Sequence, residues 1–122
     1  MTKKRILFID DRPEHLRQPV VRLQLAGYEV DEAGSGGAGL ERLRAEPYDL
    51  LILDAELPQE DGWGVLKEVR DDSDLSDLKV IVFMAGQGET GQLVLIPVDA
   101  ELRRPFNMGA LLDAVEKVVG PA

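Results

Sequence analysis

The chain has 122 residues, 14 basic against 23 acidic, for a formal charge of −9. That is the length of one domain burying roughly two thirds of its extended-chain surface, and the charge argues against direct binding to nucleic acid or to an anionic membrane. With no cysteine and a single histidine, disulfide frameworks, thiolate catalysis and histidine-rich zinc sites are excluded. The basic leader Met1 to Arg5 precedes only four apolar residues, far short of a signal-peptide core, and no stretch approaches a membrane span. A cytoplasmic protein with a protein partner is the expectation.

The run Arg5 to Ile9 is continuously apolar behind its basic residue, reads as a buried strand, and ends on two carboxylates, Asp10 and Asp11. Pro13 suits the first turn of a helix, which carries the stripe Leu16, Val20 and Leu23, with Val21 at its margin. Pro19 inside that pattern is expected to kink it. His15, in the first turn, reads as an ordinary exposed helix residue. Gly27 closes this helix, and Tyr28 to Ala33 alternates apolar with acidic residues, as an edge strand with one solvated face would.

Gly34 to Gly39 spells G-x-G-x-x-G, and Asp54 follows the first glycine at the offset of a dinucleotide fingerprint. Three features argue against a dinucleotide site: the preceding strand is half acidic, the chain lacks the second half of such a fold, and Asp10 and Asp11 would have no role. A glycine-rich loop leading into a helix with Leu40 and Leu43 is the plainer reading.

Tyr48-Asp49 then leads into the aliphatic run Leu50 to Leu53, too short for a buried helix and suited to a strand covered on both faces. It ends on Asp54. A carboxylate at the end of a buried parallel strand lies in the crevice where open α/β sheets bind their ligands. If the strands ending at Asp10-Asp11 and at Asp54 are parallel neighbours, three carboxylates converge, each raising the pKa of the others unless a divalent cation neutralises them. Magnesium suits such a site, since it takes one or two carboxylates, keeps several waters and recruits phosphate oxygens.

Beyond Asp54, Leu57-Pro58 and Asp61-Gly62 form a loop and turn, and Trp63 to Arg70 is a helix with Val65, Leu66 and Val69 on one side. Trp63 reads as partly buried packing. A fourth strand runs from Lys79 to Ala85. Gly86, Gly88 and Gly91 follow, each costing about 1 kcal/mol in a helix. Val98 to Arg103 holds a short fifth strand, and Asn107 caps a final helix whose stripe is Leu111, Leu112, Val115, Val118 and Val119.

Taken in order, Asp10-Asp11, Asp54, Leu57-Pro58 with Asp61-Gly62, and Arg104-Pro105-Phe106 make the chain resemble a response-regulator receiver domain, the phosphoacceptor module of two-component signalling, over essentially its whole length, 1–122. The resemblance implies a flavodoxin-like α/β three-layer sandwich with a five-stranded parallel sheet in the order 2-1-3-4-5, an order generally illustrated with the chemotaxis receiver. The helix between the fourth and fifth strands is expected to be short, distorted or absent.

The resemblance also implies that Asp54 accepts a phosphoryl group from a histidine kinase or phosphotransfer protein, with no turnover of an external substrate, and signals to a downstream protein. Mg2+ would be held by Asp11 and Asp54 directly, by Asp10 mainly through water, and by the backbone carbonyl of Glu56. Arg104 would supply the phosphate-binding cation.

Three positions depart from the family pattern. Arg104 stands where receivers have lysine, an exchange that keeps the charge and changes the shape. Met84, or Ala85 in the adjacent register, replaces the hydroxyl residue ending the fourth strand, and neither can donate to a phosphoryl oxygen. Glu101 replaces the aromatic residue of the fifth strand. A phosphorylation-independent pseudo-receiver is therefore the alternative. A switching response would fall on Arg103 to Pro105, Gly86 to Gly91 and the adjoining face of the final helix. A haloacid-dehalogenase-like phosphatase is disfavoured because its second aspartate is Glu56 here. The chain is expected to be a stand-alone receiver or one cut from a longer protein.

Overall fold

The computed structural model describes residues 3–55, 62–84 and 96–122. Five strands, β1 (Arg5–Ile9), β2 (Glu29–Ala33), β3 (Leu50–Asp54), β4 (Lys79–Met84) and β5 (Ala100–Arg103), alternate with helices α1 (Pro13–Leu25), α2 (Gly36–Ala45), α3 (Gly62–Asp71) and α4 (Met108–Val119). All strand pairs are parallel, and the sheet order is β2-β1-β3-β4-β5. This is the expected flavodoxin-like order. Residues 85–95, where the glycine-rich segment was expected to spoil a helix and to respond to switching, lie outside the described residues, as do Glu56 and the expected loop Leu57-Pro58 with Asp61.

The three layers follow from alternation along the strands, whose successive side chains face opposite sides of the sheet. Leu7, Ile9, Leu51, Leu53, Val80 and Val82 face one side and pack with Leu40 and Leu43 of α2 and Val65, Leu66 and Val69 of α3. Ile6, Phe8, Leu50, Ile52, Ile81 and Phe83 face the other and pack with Leu16, Val20 and Leu23 of α1 and Leu111 and Val115 of α4. Because both faces are covered, β1 and β3 must be apolar at every position, which is why their sequences read as unbroken runs. The edge strand β2 keeps its acidic residues at the margin, as expected.

Among the local expectations, the cap on α4 holds and the placement of Val21 fails. The side chain of Asn107 accepts a hydrogen bond from the Ala110 amide at 2.8 Å, capping α4. Ser35 likewise caps α2 through the Ala38 amide. The helix α1 runs through Pro19. Val21, placed at the margin of the apolar stripe, is instead 53 % exposed, because it lies next to Val20 in sequence and so about 100° around the helix from the buried row.

The third glycine of the G-x-G-x-x-G run has a packing role. A Cβ built on Gly39 would stand 2.2 Å from Ile9 Cδ1, so the absence of a side chain there leaves room for Ile9, which would otherwise have to shift. The glycines thus open a helix that follows the edge strand β2 and packs on the sheet.

Candidate functional site

The topology brings the C-terminal ends of β1 and β3 together. Ile9 pairs with Leu53, so Asp10 and Asp54, the next residues, emerge side by side at the centre of the sheet. Each is only 3 % exposed, and among the described residues they are the buried charged groups. Backbone bonds fix both: the Asp10 amide donates to the Ala33 carbonyl at 3.1 Å, and the Ala55 amide to the Phe83 carbonyl at 3.0 Å. The neighbouring strands thus hold the two carboxylates before any ligand arrives.

Asp10 divides its oxygens between two tasks. Oδ1 accepts from the Arg12 amide at 2.9 Å, steadying the turn into α1. Oδ2 is buried with no hydrogen-bond partner and lies 3.7 Å from Arg104 Nη2 and 3.9 Å from His15 Nδ1. Burial pushes the Asp10 carboxyl above its ordinary range, and the charge of Asp54 adds to this. The Arg12 amide, His15 and Arg104 pull the other way.

Arg104 enters from the far side. Its amide donates to the Met84 carbonyl at 2.9 Å, which sets it just beyond β5 at the end of β4, before the cis Arg104-Pro105 bond. From there the guanidinium reaches both carboxylates, with Nη2 3.5 Å from Asp54 Oδ2, while its Cζ sits 5.4 Å from the centroid of the Phe83 ring. The expected cation is therefore at the carboxylates.

The acidic trio expected from the sequence, Asp10, Asp11 and Asp54, is only partly assembled. One ligand atom each from Asp10, His15 and Asp54 lie within 4.8 Å of one another, and Asp11 is outside that group. Asp11 is half-buried, and its Oδ1 is a second buried oxygen with no hydrogen-bond partner. Orphaned carboxylate oxygens on Asp10 and Asp11 at this sheet end fit the presence of a divalent cation there.

His15 is the residue the sequence reading misplaced. It is half-buried and turned toward Asp10, because a helix beginning four residues beyond the end of a central strand lays its first turn over that strand's mouth. The signal was its position five residues after Asp10. Polarity alone had suggested solvent.

Met84 is 3 % exposed and belongs to the core on the α2 and α3 side. Glu101 is exposed and pairs with Arg103 at 3.6 Å. Neither contributes a hydroxyl or an aromatic ring to the pocket.

A family model described as the response regulator receiver domain matches residues 6–116. The chain belongs to that family. It is 32 % identical over 118 residues to the response regulator receiver protein CpdR of Brucella abortus, covering 95 % of this chain and 97 % of that protein. A probable transcriptional regulator, ycf27, of Porphyridium aerugineum is 39 % identical over 121 residues. The match takes 98 % of this chain and 49 % of ycf27, so the chain spans about half the length of such relatives. Among solved structures, the receiver TrrA of Thermotoga maritima, crystallised with Mg2+ and BeF, aligns with a TM-score of 0.83 at 34 % identity over 93 % of this chain and 97 % of that one. Vibrio cholerae CheY4 aligns with a TM-score of 0.88 at 24 % identity over 96 % and 99 %, a likeness of fold. As a receiver, the chain is a signalling domain of two-component systems. Among the described residues no helix is long and apolar enough to cross a membrane.

Proposed function

We propose that this receiver accepts a phosphoryl group on Asp54 and signals by protein contact. The observation that carries the reading is the burial of Asp54 at the end of β3, beside Asp10, with the Arg104 guanidinium 3.5 Å away. A carboxylate so placed is a nucleophile whose developing charges are met by fixed cations. Asp54 attacks the phosphorus of a phosphohistidine on a kinase or phosphotransfer protein; the new O–P bond forms as the P–N bond breaks, and the imidazole leaves with the electron pair and takes up a proton. Arg104 is positioned to hold two phosphoryl oxygens at once.

Asp10, Asp11 and Asp54, with the Glu56 carbonyl, would hold Mg2+, which neutralises charge on the transferring group. The capture of Mg2+ and BeF by TrrA supports this assignment by similarity. A downstream protein is the second partner, and the resemblance to cytoplasmic signalling modules favours that compartment.

A second reading, a pseudo-receiver that binds its partner without phosphorylation, draws on one observation: Met84 is packed in the core at the position that elsewhere supplies a hydroxyl. The two are separated by incubating the protein with Mg2+ and a small-molecule acyl phosphate donor and weighing it by mass spectrometry. A single added phosphoryl group, absent in Asp54→Asn, supports the phosphoacceptor reading. An unmodified wild type at saturating donor favours the pseudo-receiver.

A further inference from the structure

We propose that His15 is a ligand of the metal pocket, which makes it a mixed nitrogen and oxygen site selecting borderline transition metals such as Co2+, Ni2+ or Zn2+ over Mg2+. This rests on the reading of the pocket as a divalent-cation site and extends it to the class of cation.

Two bare atoms face each other across the pocket. Asp10 has a side chain only 1 % exposed, and its Oδ2 has no hydrogen-bond partner; His15 Nδ1 is buried and equally without one. They stand 3.9 Å apart, too far for a hydrogen bond. Two ligands each about 2.1 Å from a common ion are separated by roughly 3 to 4 Å, depending on their angle at the metal. The separation therefore suits a bridging ion. Asp54 supplies the third donor, and the full spread of 4.8 Å closes to a coordination sphere by a combined side-chain movement of roughly 1 Å.

The nitrogen decides the chemistry. Magnesium takes oxygen ligands and keeps its waters, whereas imidazole suits zinc, copper, iron and nickel, and affinity at a mixed nitrogen and oxygen site rises along the series from manganese to copper. Arg104, whose side chain is 28 % exposed, has solvent into which to withdraw when an ion takes its place between the carboxylates. A groove of about 320 Å³ lined by His15, Gln18, Phe83, Arg104 and Phe106 lies beside the pocket and shares His15 and Arg104 with it.

The test uses the full chain with Co2+ or Mg2+ alone. Because the chain has one histidine, its imidazole proton resonances are assigned without ambiguity, and Co2+ bound at Nδ1 displaces them by large hyperfine shifts. Residues that merely orient a metal-bound histidine are worth about 10- to 100-fold in affinity, and a ligand at least as much. His15→Ala is expected to weaken Co2+ binding by about tenfold or more, while Mg2+ binding changes by less than about twofold. If Mg2+ binds but Co2+ leaves the imidazole unshifted and binds wild type and His15→Ala alike, the inference is overturned and the magnesium pocket stands. If neither ion binds, both fail. Should His15→Ala not fold, the wild-type imidazole shifts decide alone.

Discussion

Arg104 Nη2 stands 3.5 Å from Asp54 Oδ2 and 3.7 Å from Asp10 Oδ2, so the guanidinium occupies the electrostatic position of a bound cation. Two opposite effects are expected of Arg104→Ala. Without metal, the two buried carboxylates lose the cation they share, and the urea midpoint falls. With metal, a competing charge is gone and Mg2+ binds more tightly. At partial exposure each effect is about 1 kcal/mol, or roughly fivefold in affinity. Calorimetric titration and urea melts in chelator and in Mg2+ measure both; weaker Mg2+ binding in the variant would show that arginine and ion do not share a place.

The sheet was legible because β1, β3 and β4 are buried on both faces, so their apolar runs leave no other assignment, and the acidic ends of β1 and β3 pointed to the crevice. His15 was not legible. A histidine in a helix's first turn reads the same whether it faces solvent or the mouth of the sheet, and only the angle at which α1 leaves β1 separates the two. Asp11 stands outside the group formed by Asp10, His15 and Asp54 for a related reason: two adjacent carboxylates need not aim at the same point.

Gly62 is expected to be intolerant of any side chain. A Cβ there would lie 2.8 Å from both the Asp54 and Ala55 carbonyl oxygens, which are backbone atoms with no room to yield. Gly62→Ala must push α3 away from the end of β3. A loss of about 1–3 kcal/mol is the usual cost of overpacking. Because the displaced carbonyl belongs to Asp54, Mg2+ affinity should fall as well. A stability loss with unchanged Mg2+ binding would show that α3 moves without disturbing the site.

At the opposite end of the sheet, the Tyr48 hydroxyl donates to Asp31 Oδ2 at 2.6 Å, while Arg42 and Arg5 lie 3.2 and 3.0 Å from the same oxygen. The Tyr48 hydrogen bond, seconded by Arg42 and Arg5, holds the Asp31 carboxyl below its ordinary value. Folding therefore gains stability from Asp31 above the ordinary aspartate pKa and loses it as pH falls through the lowered, folded value. Tyr48→Phe should cost about 1 kcal/mol at pH 7, less than a buried bond to a charged group because Asp31 is a third exposed. It should also flatten the acid limb of the stability profile. Urea midpoints at neutral pH and near pH 3 measure this; an unchanged acid limb would assign the acid sensitivity to other carboxylates.

The absent hydroxyl can be restored. Met84 ends β4 one residue beyond Phe83, which pairs with Asp54, and its carbonyl holds the Arg104 amide. Met84→Thr introduces a strand-compatible β-branched residue but removes buried apolar volume and adds a polar atom, so a stability loss of about 1–3 kcal/mol is expected. Against that stands a new donor at the phosphoryl site. A hydrogen bond to a charged group is worth about 1.5–3 kcal/mol, which is roughly 10- to 100-fold in affinity. Beryllofluoride with Mg2+, a mimic of the aspartyl phosphate, should therefore bind the variant at least about tenfold more tightly than wild type, despite the weaker core. Amide NMR titration reads both the affinity and the residues that respond. Equal affinity in the two proteins would mean that Met84 does not stand where a phosphoryl oxygen arrives, and the departure from the family pattern would then have to be compensated from another side of the pocket, with Arg104 the residue to replace next.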